Sequence, residues 1–177
     1  MIILVGASAS GKTEIAKRLF GAYGMKKAVT HTTRAIRPSE TPDVDYHFVD
    51  EPTFLDMKKK DLFVETTFYN GNYYGCSKAE VGDEKCIILD PNGVASFLAL
   101  NDPHVVTFYL RASEETRRHR MQYRGDEEEA IIKRILNDRN AFSDDKIPPV
   151  DFVFDCDEES VETLAERIYE DYRSRIG

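Results

Sequence analysis

The first twenty residues, MIILVGASASGKTEIAKRLF, restrict the fold more than any other part of the chain. Ile2–Val5 is an apolar run closed by Gly6, the pattern of a short buried strand. Gly6–Thr13, GASASGKT, fits GxxxxGK[ST]. After it, Ile15, Ala16, Leu19 and Phe20 recur at helical spacing, with Gly21 expected to stop the helix. A strand that turns through such a loop into a helix has a physical purpose. Glycines let main-chain N–H groups converge on phosphate oxygens, and the helix N-terminus adds a positive dipole. Gly6, Ala7, Ser8, Ala9, Ser10, Gly11, Lys12 and Thr13 are therefore the candidate cradle for a nucleoside triphosphate. Lys12 reaches its outer phosphates and the Thr13 hydroxyl ligates Mg²⁺. The loop fixes a ligand class but not a reaction.

The rest of the chain keeps alternating. Cys86–Leu89 and Val105–Leu110 read as buried strands and Asp151–Asp155 as a last short one. "DPNG" is expected to stop the first of these, with a helix over Val94–Leu100. Ser113 opens another helix, interrupted at "YRGD", and Asp126 with Glu129 resembles a capping box for a helix to about Phe142. Ser160–Ile176 carries Leu164, Ile168 and Tyr172 on one face. Such alternation implies an α/β fold of three layers, a central parallel sheet with helices on both faces. Residues 31 to 80 break it: "DYHFVD" and "LFVETTFY" are strand-like, "NGNYYG" has turn chemistry, and only Phe54–Lys60 reads as helix. This is an insertion of antiparallel character, and the charged segment 111–128 is a second interruption. A chain of 177 residues suits one domain with one core.

Charge narrows the chemistry. The chain has 32 acidic and 24 basic residues, a formal net charge of −8, which argues against nucleic acid or an anionic membrane as partner. Yet seven of the 13 arginines lie between Arg111 and Arg139, and two more, Arg34 and Arg37, sit in a proline-containing loop. Positive charge is gathered where an anion could use it. A GTPase needs a guanine-reading [NT]KxD, which is missing. A phosphoryl-transfer kinase needs a second anion site and arginines over the transferred group, and the chain offers both. Cys76, Cys86 and Cys156 form no CxxC pair and are expected as reduced thiols in a cytoplasmic protein. The opening is too short for a signal-peptide core, and no apolar run approaches the ~20 residues of a membrane span.

Read together and in order, "GASASGKT", "THTTRAIRPSETPDVDYHF", "LFVETTFYNGNYYG", "LDPNG" and "YRGD" make the chain resemble guanylate kinase over nearly its whole length. The resemblance implies a core of residues 1–30, 81–110 and 127–177, a GMP-binding subdomain of about 31–80 and a helical lid of about 111–126. It implies ATP-dependent phosphorylation of GMP, with dGMP as a further substrate. Arg34 and Arg37 then hold the GMP phosphate, and Tyr46 and Tyr74 donate hydroxyls to it. Glu65 accepts both donors of the guanine edge, Asp90 lies near the same edge, and Thr30 and Cys76 occupy base-facing positions. Arg124 and Arg134 are the lid arginines, Arg139 is a further phosphate contact, and Arg120 is a weaker match. Arg117 and Arg118 are expected to be solvated or paired with Glu114 and Glu115. The attacking GMP oxygen is already anionic, so no general base is required, and the four histidines are read as structural.

The chain departs from the family at several points. Cys76 stands where Ser or Thr is usual, and Ile88 replaces the first aspartate of a DxD. Two rival readings share the phosphate loop: a kinase for a phosphorylated sugar such as a ribose phosphate, and a guanylate-kinase-like module that binds without catalysis. The first does not need Glu65 or the paired tyrosines; the second usually loses the loop. ATP and GMP are the expected partners of a monomer or homodimer.

Overall fold

The computed structural model describes residues 1–177. Its centre is β1 (Ile2–Val5), whose four side chains are 0% exposed. Such a run can persist only if both faces and both edges are covered. The edges are covered by β7 (Lys85–Leu89) and β8 (Val106–Arg111), both parallel to β1. Outside them lie β2 (Lys26–Lys27) and β9 (Phe152–Asp155), giving a five-stranded parallel sheet of order β2-β7-β1-β8-β9.

The alternation of β1 builds a core on each face. Ile2 and Leu4 join Ile15 and Leu19 of α1 (Lys12–Tyr23) and Leu164, Ile168 and Tyr172 of α6 (Val161–Ile176). Met1, Ile3 and Val5 join Val94 and Phe97 of α3 (Pro91–Leu98), with Ala28 and Cys76. The expected single core is thus two clusters with the sheet between them. Each fully buried Ile, Leu or Val contributes roughly 1.5–3 kcal/mol, so β1 anchors both.

Residues 31–77 form a second, mixed sheet of order β4-β3-β6-β5, from β3 (His31–Thr32), β4 (His47–Phe48), β5 (Phe63–Tyr69) and β6 (Asn72–Ser77). β3 pairs parallel with β4 and antiparallel with β6. A short helix, α2 (Glu51–Lys59), buries Phe54 against Phe63 with ring centroids 4.5 Å apart. Two further helices, α4 (Glu114–Tyr123) and α5 (Glu128–Ala141), pack through Met121, Ile131 and Ile135.

Several local expectations change. Gly21 lies inside α1, and the stop is Gly24, left-handed at φ 68° with its N–H bonded to the Leu19 carbonyl. The hairpin turn is Asn70–Gly71 alone, with Asn72–Gly75 already strand. "DPNG" stops β7 at Leu89 as expected but also opens α3, ahead of Val94: Asp90 caps the helix, accepting the Gly93 N–H at 2.8 Å, and Pro91 occupies the first turn, where a missing N–H costs nothing. Asp126 caps nothing, because Arg124 and Arg134 hold its carboxylate and the N-cap of α5 is Glu127. No helix is long and apolar enough to cross a membrane.

Candidate active site

All five parallel strands point the same way, so their C-terminal ends share one edge. The register pairs Val5 with Leu89, which sets Gly6 and Asp90 side by side where the strand order reverses. Ligands of open α/β sheets bind at such a point. The loop into α4 follows β8 on the same edge, and Cys156 follows β9.

Gly6 has no room for a side chain: a Cβ would lie 2.4 Å from the Leu110 carbonyl oxygen. Gly11 sits at φ 105°, a left-handed conformation that favours glycine. Lys12 folds over the loop, donating to the carbonyls of Gly6 at 2.6 Å and Ala7 at 2.7 Å. Burial lowers its pKa to about 8, with Asp138 opposing that shift and Arg117 adding to it. Ala9, Gly11, Lys12 and Thr13 line a cavity of about 440 Å³ with Arg120, Tyr123 and Arg124, at the C-terminal end of α4.

Arg117 and Arg120 of α4 reach this loop, but not as expected. Arg117 is neither solvated nor paired with Glu114 or Glu115. It is 4% exposed and bonds Asp138 of α5 at 2.7 Å. Arg120, the weaker match, reaches the carbonyl of Ala9 at 3.2 Å and of Cys156 at 2.5 Å. Arg118 pairs with Glu128. Arg124 grips Asp126 through Nε at 2.9 Å and Nη2 at 2.5 Å, and Arg134 shares the same carboxylate at 2.7 Å. Arg139 is bidentate to Glu114 at 2.6 Å. Of these three sequence-predicted arginines, only Arg124 lines the cavity at the phosphate loop. Asp138 escaped the sequence reading, although a signal was present. Ile131, Ile135 and Asp138 fall at i, i+4 and i+7, an acid on the buried stripe of α5.

Across the cleft, a cavity of about 390 Å³ gathers Thr30, Tyr46, Glu65, Tyr74 and Asp90. A β-bulge between Phe63 and Glu65 lets one strand serve two surroundings, with Phe63 packed on Phe54 and Glu65 on the cavity wall. Gly75, opposite, has no space for a Cβ, which would meet the Glu65 carbonyl oxygen at 2.9 Å. Glu65 Oε1 accepts the Cys76 N–H at 3.0 Å. Burial raises the Glu65 pKa, only partly offset by that hydrogen bond, and nearby Asp90 adds to the rise. Cys76 itself is corrected: its side chain is 0% exposed and sits in the core, and its thiol, pushed up to about 12 by burial, does not line the cavity. Its contribution is the main-chain N–H that holds Glu65.

Tyr46 and Tyr74 meet edge to face with centroids 6.2 Å apart, and the Arg34 guanidinium lies 5.5 Å from the Tyr46 ring centroid. Arg34 is bonded to Glu40 at 2.6 and 3.0 Å, which raises its pKa, while the Arg37 side chain is exposed. A third cavity, about 500 Å³, shares Thr30, Tyr46, Ile87 and Ile88 with the Glu65 cavity and Thr13 with the phosphate-loop cavity. One cleft therefore runs from the loop to Glu65. Thr13 stands at its junction, beside half-exposed Ile88. No group of three or more His, Cys, Asp or Glu side chains that could hold a metal ion is gathered anywhere. The Thr13 hydroxyl is an oxygen donor of the kind that fits a hydrated Mg²⁺, which keeps most of its ligands as water and substrate phosphate.

A phosphate loop at the reversal point of a parallel sheet, facing a second polar cavity along one cleft, defines a P-loop nucleotide-binding fold with room for two ligands. The guanylate kinase family model matches residues 1–171. A guanylate kinase of Nitrosococcus oceani is 34% identical over 146 residues, covering 78% of this chain and 71% of the relative. One from Chromohalobacter salexigens is 33% identical over 145 residues, 78% and 67% of the two chains. The crystal structure of guanylate kinase from Anaplasma phagocytophilum superposes with a TM-score of 0.63 at 26% identity, covering 99% of this chain and 87% of that one. The chain belongs to the guanylate kinase family of enzymes.

Proposed function

We propose that the protein transfers the terminal phosphoryl group of ATP to GMP, and to dGMP, giving the diphosphate. The observation that carries this reading is the Glu65 cavity. A half-buried carboxylate faces space lined by Thr30, Asp90 and the two tyrosines. Ionised, it accepts N1–H and N2–H of guanine together, whereas adenine presents an acceptor at N1. A buried polar group left unpaired by the wrong base discriminates by ~10⁴. Arg34 and Arg37 take the acceptor phosphate, Arg34 by giving up or sharing Glu40, and Tyr46 and Tyr74 add neutral donors. Lys12, Arg124 and Arg134 balance charge on the phosphates in transfer, and Thr13 would hold the Mg²⁺ that comes with ATP, which would supply further positive charge there. Arg139, bidentate to Glu114, must change partner to take part. The roles follow from position: the loop and lid serve the donor, residues 31–80 the acceptor.

The test is a coupled assay with ATP, Mg²⁺ and each nucleoside monophosphate. A preference for GMP or dGMP is expected, and equal rates with AMP, CMP and UMP would overturn the reading. Glu65→Ala should erase the base preference, whereas Arg37→Ala should raise KM for every monophosphate. Identical behaviour of the two variants would contradict the division into base and phosphate sites.

A further inference from the structure

The helices around the lid touch the phosphate loop through a buried charge pair that none of the roles above uses. Arg117 on α4 and Asp138 on α5 are 4% and 8% exposed and bonded at 2.7 Å. The same Asp138 Oδ2 accepts the main-chain N–H of Ser8 at 3.0 Å, and Oδ1 accepts the Ser8 hydroxyl at 3.2 Å. Arg117 Nη1 also donates to the Ser8 carbonyl at 3.4 Å. Every polar group of Ser8 is thus held by the pair. The next residue, Ala9, sits at φ 61°, which an L-residue keeps only where its surroundings impose it. Its carbonyl is held in turn by Arg120.

Stability alone does not call for this arrangement. Taking two charges out of water is costly, and well-packed apolar replacements of such pairs are often neutral or stabilising. Here the pair is imperfectly satisfied, since Arg117 Nε is buried without a partner. A carboxylate beside a phosphate cradle also has the wrong sign for its ligand. Arg117 removes that objection by neutralising it, leaving Asp138 free to act as an acceptor for the loop.

We propose that Asp138, neutralised by Arg117, is a positioning residue for the triphosphate. It fixes the outer turn of the phosphate loop in its binding shape and ties that shape to the helices that carry Arg120, Arg124 and Arg134. The inference rests on the reading that the loop takes ATP, and not on the identity of the acceptor.

The test is titration calorimetry of Mg·ATP and of GMP, each alone, with thermal melting as a check on folding. The double variant Arg117→Met/Asp138→Leu removes the acceptor while filling the space. It is expected to melt near the wild-type temperature and to bind ATP about tenfold more weakly, the loss expected for hydrogen bonds to a charged group. Its GMP affinity should not change. Arg117→Met/Asp138→Asn restores an acceptor to Ser8 and should recover most of the ATP affinity. Asp138→Asn alone keeps an acceptor, discards the negative charge, and should bind ATP at least as tightly as wild type.

Unchanged ATP affinity in the Met/Leu variant overturns the proposal. So does equal loss of ATP and GMP binding, or no recovery with Asn. Weaker ATP binding by Asp138→Asn alone also overturns it, and decides the matter should the Met/Leu variant not fold. Wild-type protein that binds no ATP overturns this proposal and the function together. Wild-type protein that binds ATP but leaves GMP unphosphorylated overturns only the GMP reading.

Discussion

Glu65 is held at a cost that the free protein bears. Its pKa is raised by burial, so the folded chain binds this proton more tightly than the unfolded chain does. Its contribution to stability is then fully present below the ordinary carboxylate pKa and is lost as pH rises through the raised value. Glu65→Gln keeps an acceptor for the Cys76 N–H and removes the charge. It should raise the melting temperature at neutral pH, leave it unchanged in acid, and lose the guanine preference. A variant that melts below wild type at neutral pH would contradict this account. In the proposed reaction the ionised form reads guanine, so kcat/KM for GMP should fall on the acid side at a pH above the usual carboxylate range. Substrate phosphates titrate too, and the informative quantity is the difference between wild type and Glu65→Gln. Identical acid limbs would remove Glu65 from base recognition. In the sequence, Glu65 was legible only through the surrounding motif, because alternation in "LFVETTFY" does not reveal the bulge that aims it.

Among elements, α3 shows one residue serving two ends. Asp90 caps the helix through the Gly93 N–H and also lines the Glu65 cavity. Asp90→Ala loses both functions and should cost about 1 kcal/mol, or about 2–4 °C in Tm for a chain of this size. Asp90→Ser keeps the cap. Its Tm should match wild type while KM for GMP rises, and a matching loss of stability would assign Asp90 to folding alone. Helix α1 shows why glycine is an uncertain stop. It continues through exposed Gly21 because the chain beyond it is held: Tyr23 stacks on Tyr169 at 4.7 Å and Met25 is buried in the core. Those contacts outweigh the roughly 1 kcal/mol that glycine costs a helix. "YRGD" was legible as a break, but not what its aspartate does. A capping box and an arginine clamp use the same residue types, and only the position of α5 selects between them.

At the scale of the molecule, the phosphate loop and the Glu65 cavity are carried by separate parts of the chain, and the proposed reaction gives the donor to the first and the acceptor to the second. Hydrogen exchange should resolve this. Amides of β1 and β8, buried in the central sheet, should exchange slowest in any state. GMP alone should slow exchange in residues 31–48 and 65–76, and ATP alone in 6–13 and 116–126. Protection of 116–126 by GMP alone would contradict the proposed division. The acidic surface has no part in this division. Net charge is −8, and each of Arg34, Arg124, Arg134 and Arg139 rests on a carboxylate.

The sequence by itself determined the phosphate loop, the alternating α/β order, the insertion and the family. These depend on neighbours along the chain: glycines that permit tight turns, apolar residues at fixed periods, motifs at set distances. Tertiary structure alone decided which charges meet. Arg117 and Asp138 are 21 residues apart, and Asp138 and Ser8 are 130 apart. No local rule pairs them; the packing of α4 on α5, and of both over the loop, does. Of the arginines on α4, the most buried serves the loop's backbone, because burial leaves a guanidinium only the partners that the surrounding fold supplies.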